Sequence, residues 1–136
     1  MNEQTVTDWT VYPNFKQTEF NCRCGCGTNR ISKELLDMLQ YARKKAAIPF
    51  VITSGCRCPK HNSDIGTTAT SDHIADENNI CYGVDIACTV DRNRYVLITA
   101  LKNAGFNRIG IARGFIHAGI GRHFDGRNDD NVIWLY

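Results

Sequence analysis

Apolar residues in the first half of the chain repeat with the period of a helix. Ser32 can cap the N-terminus of this helix, and Pro49 ends the pattern. The apolar positions between them are Leu35, Leu36, Leu39, Ala42 and Ala46. Spacings of three and four residues place these side chains on one face, so the pattern predicts an amphipathic helix that buries this face.

A second helix is predicted in the middle of the chain. We expect Asp91 to be its N-cap and Gly105 to end it at the C′ position. The positions that define its period are Tyr95, Ile98, Leu101 and Lys102.

Five short apolar segments predict β-strands, and most of them lie in the second half of the chain. They span residues 50–53, 83–87, 108–112, 115–120 and 132–136. Helices that come early, followed by a run of strands, favour an α+β fold over regular βαβ alternation. We therefore predict a single domain over residues 1–136, with a small, mostly antiparallel sheet flanked by helices. Residues 54–82 are polar and without period, and loops of this length often carry function.

Charge and composition exclude several classes of function. The 136 residues carry a net charge of +2, which leaves no basic face for nucleic acid. The sequence contains no apolar run of about 18 residues, so we expect no membrane segment. A basic segment followed by an apolar run, as in a signal peptide, is missing from the N-terminus. We expect a monomer that is made in the cytoplasm.

Two side chains in costly positions, together with a loop histidine, predict a metal site. Asp85 interrupts the apolar strand 83–87, and His117 interrupts the apolar strand 115–120. A carboxylate in such a strand is expensive unless it is paired or binds a metal. If the two strands are neighbours, both side chains can project from one side of the sheet, and His73 can join them from the polar loop. Two imidazoles and one carboxylate, with a fourth position open, suit a catalytic zinc.

Other interpretations of the same residues stay open at this stage. His117 can be an ordinary core histidine, and Asp85 can pair with an arginine. Asp76 and Glu77 are rival carboxylate ligands in the polar loop.

Six segments, taken in order along the chain, resemble a known family. They are EFNCRCGCG, ITSGCRCPKHN, SDH, GVDIAC, GFNRIGIARGFIH and NVIWLY. Residues 17–136 resemble the zinc peptidases of the D-alanyl-D-alanine carboxypeptidase type, most closely the short members of phages and bacteria, which include endolysins. The resemblance implies zinc held by His73, Asp85 and His117, and hydrolysis of peptidoglycan stem peptides. It also implies the α+β fold shared with Hedgehog signalling domains.

The resemblance implies further site residues, and two departures from the family pattern bear on them. Arg57 matches an arginine that contacts the substrate carbonyl or carboxylate, a role that suits a fixed guanidinium. His73 and Asp85 are 12 positions apart, more than is usual in the family. Gly114 and Gly119 stand where relatives place an acidic residue near the last ligand. The general base of a hydrolysis mechanism is therefore not visible at either position, so it has either moved elsewhere in the chain or is absent.

A turn-rich segment after the last metal ligand offers two candidates for this base. His123 and Asp125 lie in the sequence GRHFDG, where a glycine on each side would let the segment fold back over the metal. An ordinary turn is the alternative interpretation of the same segment.

The seven cysteines allow two interpretations. Without an export signal we expect reduced thiols or metal ligands rather than disulfides. A second thiolate site can form from Cys22, Cys24, Cys26, Cys56 and Cys58, although C-x-C spacing is unlike common zinc knuckles. We expect Cys81 and Cys88 to be core residues.

The sequence therefore predicts a zinc peptidase that cuts cell-wall peptides. Such an enzyme would reach the wall after release by lysis, or on a virion. The alternative is a zinc-binding domain of the same fold that has lost hydrolysis and recognises the wall or a protein partner.

Overall fold

A computed structural model describes residues 4–66, 71–75, 78–121 and 129–136. Within these residues the strands are β1 (Ile52–Ser54), β2 (Gly83–Ala87), β3 (Arg108–Ile111), β4 (Phe115–Gly119) and β5 (Val132–Leu135). They form one sheet in the order β1-β2-β4-β3-β5. Neighbouring strands are antiparallel except β3 and β5, which run parallel.

The two long helices cover one face of this sheet. The described residues form α1 (Lys33–Ala46), α2 (Pro59–Asp64) and α3 (Asp91–Ala104), with short 3-10 helices at Trp9–Val11 and Gln17–Phe20. Helices α1 and α3 pack against each other, and their apolar faces join the sheet in one core. The predicted α+β class with a mostly antiparallel sheet is confirmed. Among the described residues, no helix has the length and apolar character needed to cross a membrane.

The ends of the two long helices follow the capping signals of the sequence, with one correction. The Ser32 hydroxyl accepts a hydrogen bond from the Leu35 amide at 3.1 Å, as an N-cap should. Gly105 ends α3 with a φ of 108°, in the left-handed region. Asp91 is the first residue of α3 rather than its N-cap, which is Val90. The buried positions of α3 are Leu97, Ala100 and Leu101, whereas Tyr95 is 76% exposed.

The second correction concerns the long polar segment 54–82, which contains helix α2. Six residues are too few to show a hydrophobic period, so the pattern gave no signal for this helix. Its local signals are Pro59 in the first turn and Cys58, whose sulfur accepts a hydrogen bond from the His61 amide at 3.4 Å. His61 of this helix lines the same cavity as Asp85 and His117, so the helix lies beside the polar face of the sheet.

One pair of cysteines departs from the expectation of free thiols. Cys56 and Cys81 form a disulfide, and both residues are buried. Cys56 is therefore not part of a thiolate cluster, and Cys81 is a bonded rather than a free core cysteine. Cys88 is a free, buried thiol, as expected for a core residue.

Candidate metal centre and active-site cavity

The register of β2 and β4 brings two of the candidate ligands together. Asp85 lies directly opposite His117 in the antiparallel pair, as the sequence argument required. Their neighbours Val84, Ile86 and Ile116 face the apolar core, so strand alternation turns Asp85 and His117 to the other face. The Nδ1 atom of His117 lies 2.9 Å from Oδ1 of Asp85.

His73 reaches the same carboxylate oxygen from the loop before β2. The Arg57 amide donates a hydrogen bond to the His73 carbonyl at 2.8 Å, which fixes this loop to the segment after β1. The Nε2 atom of His73 lies 3.1 Å from Oδ1 of Asp85. Its Nδ1 atom lies 2.6 Å from the Gly55 carbonyl oxygen. The three candidate ligand atoms lie within 4.8 Å of one another.

Each candidate histidine uses the ring nitrogen that faces away from Asp85 to donate a hydrogen bond. The other ring nitrogen then presents a lone pair to Asp85. A carbonyl oxygen only accepts, so Nδ1 of His73 carries the hydrogen and its Nε2 presents a lone pair to Asp85. The Nε2 atom of His117 faces a carboxylate oxygen of Asp72 at 2.8 Å and donates to it. In the neutral form of His117, Nδ1 then also presents a lone pair to Asp85. Three acceptor atoms facing one another are stabilised by a cation between them, so the donor set fits a metal ion.

The pKa values of His73, Asp85 and His117 without metal reflect their burial and the charges and hydrogen bonds between them. Burial lowers the pKa of His73 and outweighs the opposing charge of Asp85. Burial also acts to lower the pKa of His117, but its hydrogen bonds to Asp72 and Asp85 outweigh this effect and raise the pKa to about 9. Burial acts to raise the pKa of Asp85, yet the two histidines hold it well below its usual range. A metal must therefore displace a proton from His117.

Asp72 and Arg108 orient His117, and neither residue was predicted from the sequence to have a role in the site. Arg108 Nε donates to both carboxylate oxygens of Asp72, at 3.2 and 3.0 Å. The Arg108 guanidinium also donates to the Asp129 carbonyl oxygen. A carboxylate behind a metal-binding histidine fixes its tautomer and raises its basicity. The only signal in the sequence was the position of Asp72 directly before His73.

The three candidate ligands line a cavity of about 670 Å³. Its aromatic wall comes from β5 and the C-terminus, where Trp134 lies 5.3 Å from the His117 ring and 6.1 Å from Tyr136, between ring centroids. Gly110 makes this packing possible, because a Cβ at this position would lie 2.7 Å from atoms of both Trp134 and Tyr136. The cavity has the size of a small-ligand site.

Comparison with known families decides the affiliation of this fold and site. A family model described as Peptidase M15 matches residues 13–119, which covers all three candidate ligands. The chain belongs to the peptidase M15 family. No curated protein matches the chain. M15 enzymes are zinc-dependent metallopeptidases, and in this member His73, Asp85 and His117 form a candidate site for the metal.

Arg57 is a buried side chain of this M15 cavity rather than a solvated loop arginine. Only 7% of its surface is exposed, and it lines the cavity together with the candidate ligands. Burial lowers the pKa of Arg57, and the charge of Asp85 opposes this shift. Among the described residues its buried Nε has no hydrogen-bond partner. An unpaired buried donor is costly, and a bound carboxylate or oxyanion would remove that cost.

Several residues of the sequence prediction lie outside the described residues. They are the rival ligands Asp76 and Glu77 and the candidate bases His123 and Asp125. The structure does bear on Gly119, one of the two positions where the family resemblance predicted an acidic residue. A Cβ at Gly119 would lie 2.7 Å from Oδ2 of Asp72, so Asp72 already fills the space beside His117. A carboxylate introduced at position 119 would crowd Asp72, so one of the two side chains would have to shift.

Proposed function

We propose that the protein is a zinc-dependent peptidase that hydrolyses the stem peptides of peptidoglycan, either as a D-Ala-D-Ala carboxypeptidase or as an endolysin-type endopeptidase. The observation that carries this proposal is the convergence of His73 Nε2, Asp85 Oδ1 and His117 Nδ1 at the wall of an open cavity. Three protein ligands beside open space distinguish a catalytic zinc site from a structural one.

His73, Asp85 and His117 would hold the zinc in this proposal. When bound, zinc supplies a Lewis acid for the scissile carbonyl and makes an attacking water more acidic. The chain itself supplies the orientation of the ligands. Gly55 and Asp72 accept the outer hydrogens of the two imidazoles, so both rings present a lone pair to the same point.

Arg57 would bind the negative charge of the substrate. The guanidinium of Arg108 is held by Asp72, and that of Arg23 donates to the carbonyls of Glu19 and Ile52. Arg57 differs because its buried Nε is unpartnered among the described residues. A terminal D-alanine offers a carboxylate to this donor, and an internal peptide bond offers the oxyanion that forms during hydrolysis.

Proton transfer needs a further group, and His123 and Asp125 remain our candidates. His61 of α2 also lines the cavity and is an alternative donor or acceptor for the leaving amine.

Mass spectrometry of peptidoglycan fragments tests the proposal. Zinc-loaded protein should release either free D-alanine, as a carboxypeptidase does, or shortened stem and bridge peptides, as an endopeptidase does. Asp85→Ala should give no product, whereas the matched control Asp91→Ala, at an exposed position, should match the wild type. Intact fragments after incubation with zinc-loaded wild type would contradict the proposal and favour a binding domain.

A further inference from the structure

A second cluster of four possible metal ligands lies outside the cavity. Its residues are Cys22, Cys24, Cys26 and Cys58, and one sulfur from each lies within 4.8 Å of the other three. None of the four lines the active-site cavity. We infer that this four-cysteine cluster binds a structural zinc ion, independently of the proposed peptidase function.

The distances between the sulfurs fit a shared metal. Four sulfurs at about 2.3 Å from a zinc ion lie about 3.8 Å from one another in a tetrahedron. The Sγ atoms of Cys22 and Cys24 are 3.5 Å apart, and those of Cys24 and Cys58 are 3.7 Å apart. A disulfide would need a separation of about 2.05 Å, so neither pair is bonded.

The backbone is shaped to bring three closely spaced cysteines to one point. Gly25 and Gly27 have φ values of 90° and 80°, which favour glycine. The Cys22 amide donates to the Thr28 carbonyl at 2.8 Å and closes the loop between them. This tight turn allows C-x-C-x-C spacing to act as three ligands, although the spacing differs from common zinc knuckles.

The fourth ligand, Cys58, comes from the segment between β1 and α2. Cys58 is the N-cap of α2, and its backbone amide donates to the Cys22 sulfur at 3.3 Å. The His61 amide donates to the Cys58 sulfur at 3.4 Å. Amide hydrogen bonds of this kind stabilise thiolate charge and orient metal ligands. Four protein ligands leave no open position, which is typical of a structural zinc site.

The four-cysteine cluster links two segments that are distant in the sequence. It ties the loop 22–28 to the residue that follows Arg57, so a metal there would hold the Arg57 segment against the N-terminal part of the chain. Arg23 lies within the same loop and lines the cavity.

Zinc content and zinc X-ray absorption of the full chain test this inference. Wild type loaded with zinc alone and freed of excess metal should retain two zinc ions per chain. Asp85→Ala should retain one, with sulfur neighbours at about 2.3 Å. Cys24→Ser/Cys26→Ser should also retain one, with nitrogen and oxygen neighbours. Cys88→Ala, which removes a thiol outside the cluster, should retain two.

Alkylation of the wild type gives a readout that does not depend on any variant folding. Cys24 and Cys26 are exposed, so without metal they should react at once with a thiol reagent. Zinc should slow their alkylation strongly, and a chelator should restore it. Equal alkylation rates with and without zinc, or zinc in Asp85→Ala that lacks sulfur neighbours, would overturn the inference. Peptide hydrolysis is measured in a separate assay, so a negative result for the cluster does not decide the proposed peptidase function. A negative result for hydrolysis does not decide whether the cluster binds zinc.

Discussion

Residues 55–58 connect the histidine–aspartate centre (His73, Asp85 and His117) to the four-cysteine cluster. The two sites differ in their donor atoms and in their access to the cavity. The Gly55 carbonyl orients His73 of the first, and Cys58 belongs to the second. The first has three nitrogen and oxygen donors at the wall of a cavity, and the second has four sulfurs away from it. Open coordination suits catalysis, and closed coordination suits structure.

The two clusters also differ in how the chain positions them. Paired strands fix Asp85 against His117, and buried hydrogen bonds to Gly55 and Asp72 fix both imidazole rings. A glycine-containing turn with two exposed cysteines positions the sulfur cluster. The first centre is therefore held from within the sheet and its buried loop, whereas the sulfur cluster is held by a turn at the surface, without any strand contributing a ligand.

Asp85→Ala should have the largest effect on this comparison. It removes the carboxylate on which both histidines converge, so peptide hydrolysis should fall to background. The sulfur cluster should keep its zinc in this variant. Metal analysis and product assay on the same sample check both statements. Full zinc occupancy of the first centre without Asp85 would contradict the ligand assignment.

Removal of the proton-transfer group should cause the second-largest loss of hydrolysis rate. His123→Ala or Asp125→Ala should lower the rate of hydrolysis by about 10²–10⁴, because the leaving amine needs a proton. Zinc content should not change, since neither residue is a proposed ligand. If both variants match the wild type and His61→Ala does not, the role belongs to His61.

Arg57→Ala should lower kcat/KM by about 10²–10³, the usual loss for one donor to an oxyanion. The reason is that its buried Nε, unpaired among the described residues, is left for substrate. Both metals should stay bound, because Arg57 is a ligand of neither cluster. Thermal unfolding provides the control. A large fall in melting temperature together with a small loss of rate would make Arg57 a structural residue instead.

Asp72→Asn should have a smaller effect, and only on the first centre. It keeps an acceptor for His117 Nε2 but removes the charge that Arg108 holds in place. Loss of such a supporting carboxylate typically costs about 10–100-fold in metal affinity or activity. Competition with a chelator measures the affinity. An unchanged affinity would show that Asp72 serves folding alone.

The sequence carried enough information to predict the two long helices and the strand pair that holds Asp85 and His117. Period and capping signals are local, so Ser32 and Gly105 could be identified as helix ends. Strand alternation is also local, so a shared face for Asp85 and His117 followed once the strands were taken as neighbours.

Other features depend on contacts between distant residues and left little trace in the sequence. Asp72 and Arg108 meet across 36 positions, and Cys58 joins Cys22 across another 36. The disulfide links Cys56 to Cys81, and no spacing rule singles out that pair among seven cysteines. Burial of Arg57 is a property of the assembled cavity and could not be deduced from its loop context.

Zinc-edge anomalous diffraction from crystals of the zinc-loaded protein would locate the catalytic metal and identify its ligands. We expect a peak about 2.0–2.2 Å from His73 Nε2, Asp85 Oδ1 and His117 Nδ1. A peak held by Asp76 or Glu77, with Asp85 turned away from the metal, would contradict it.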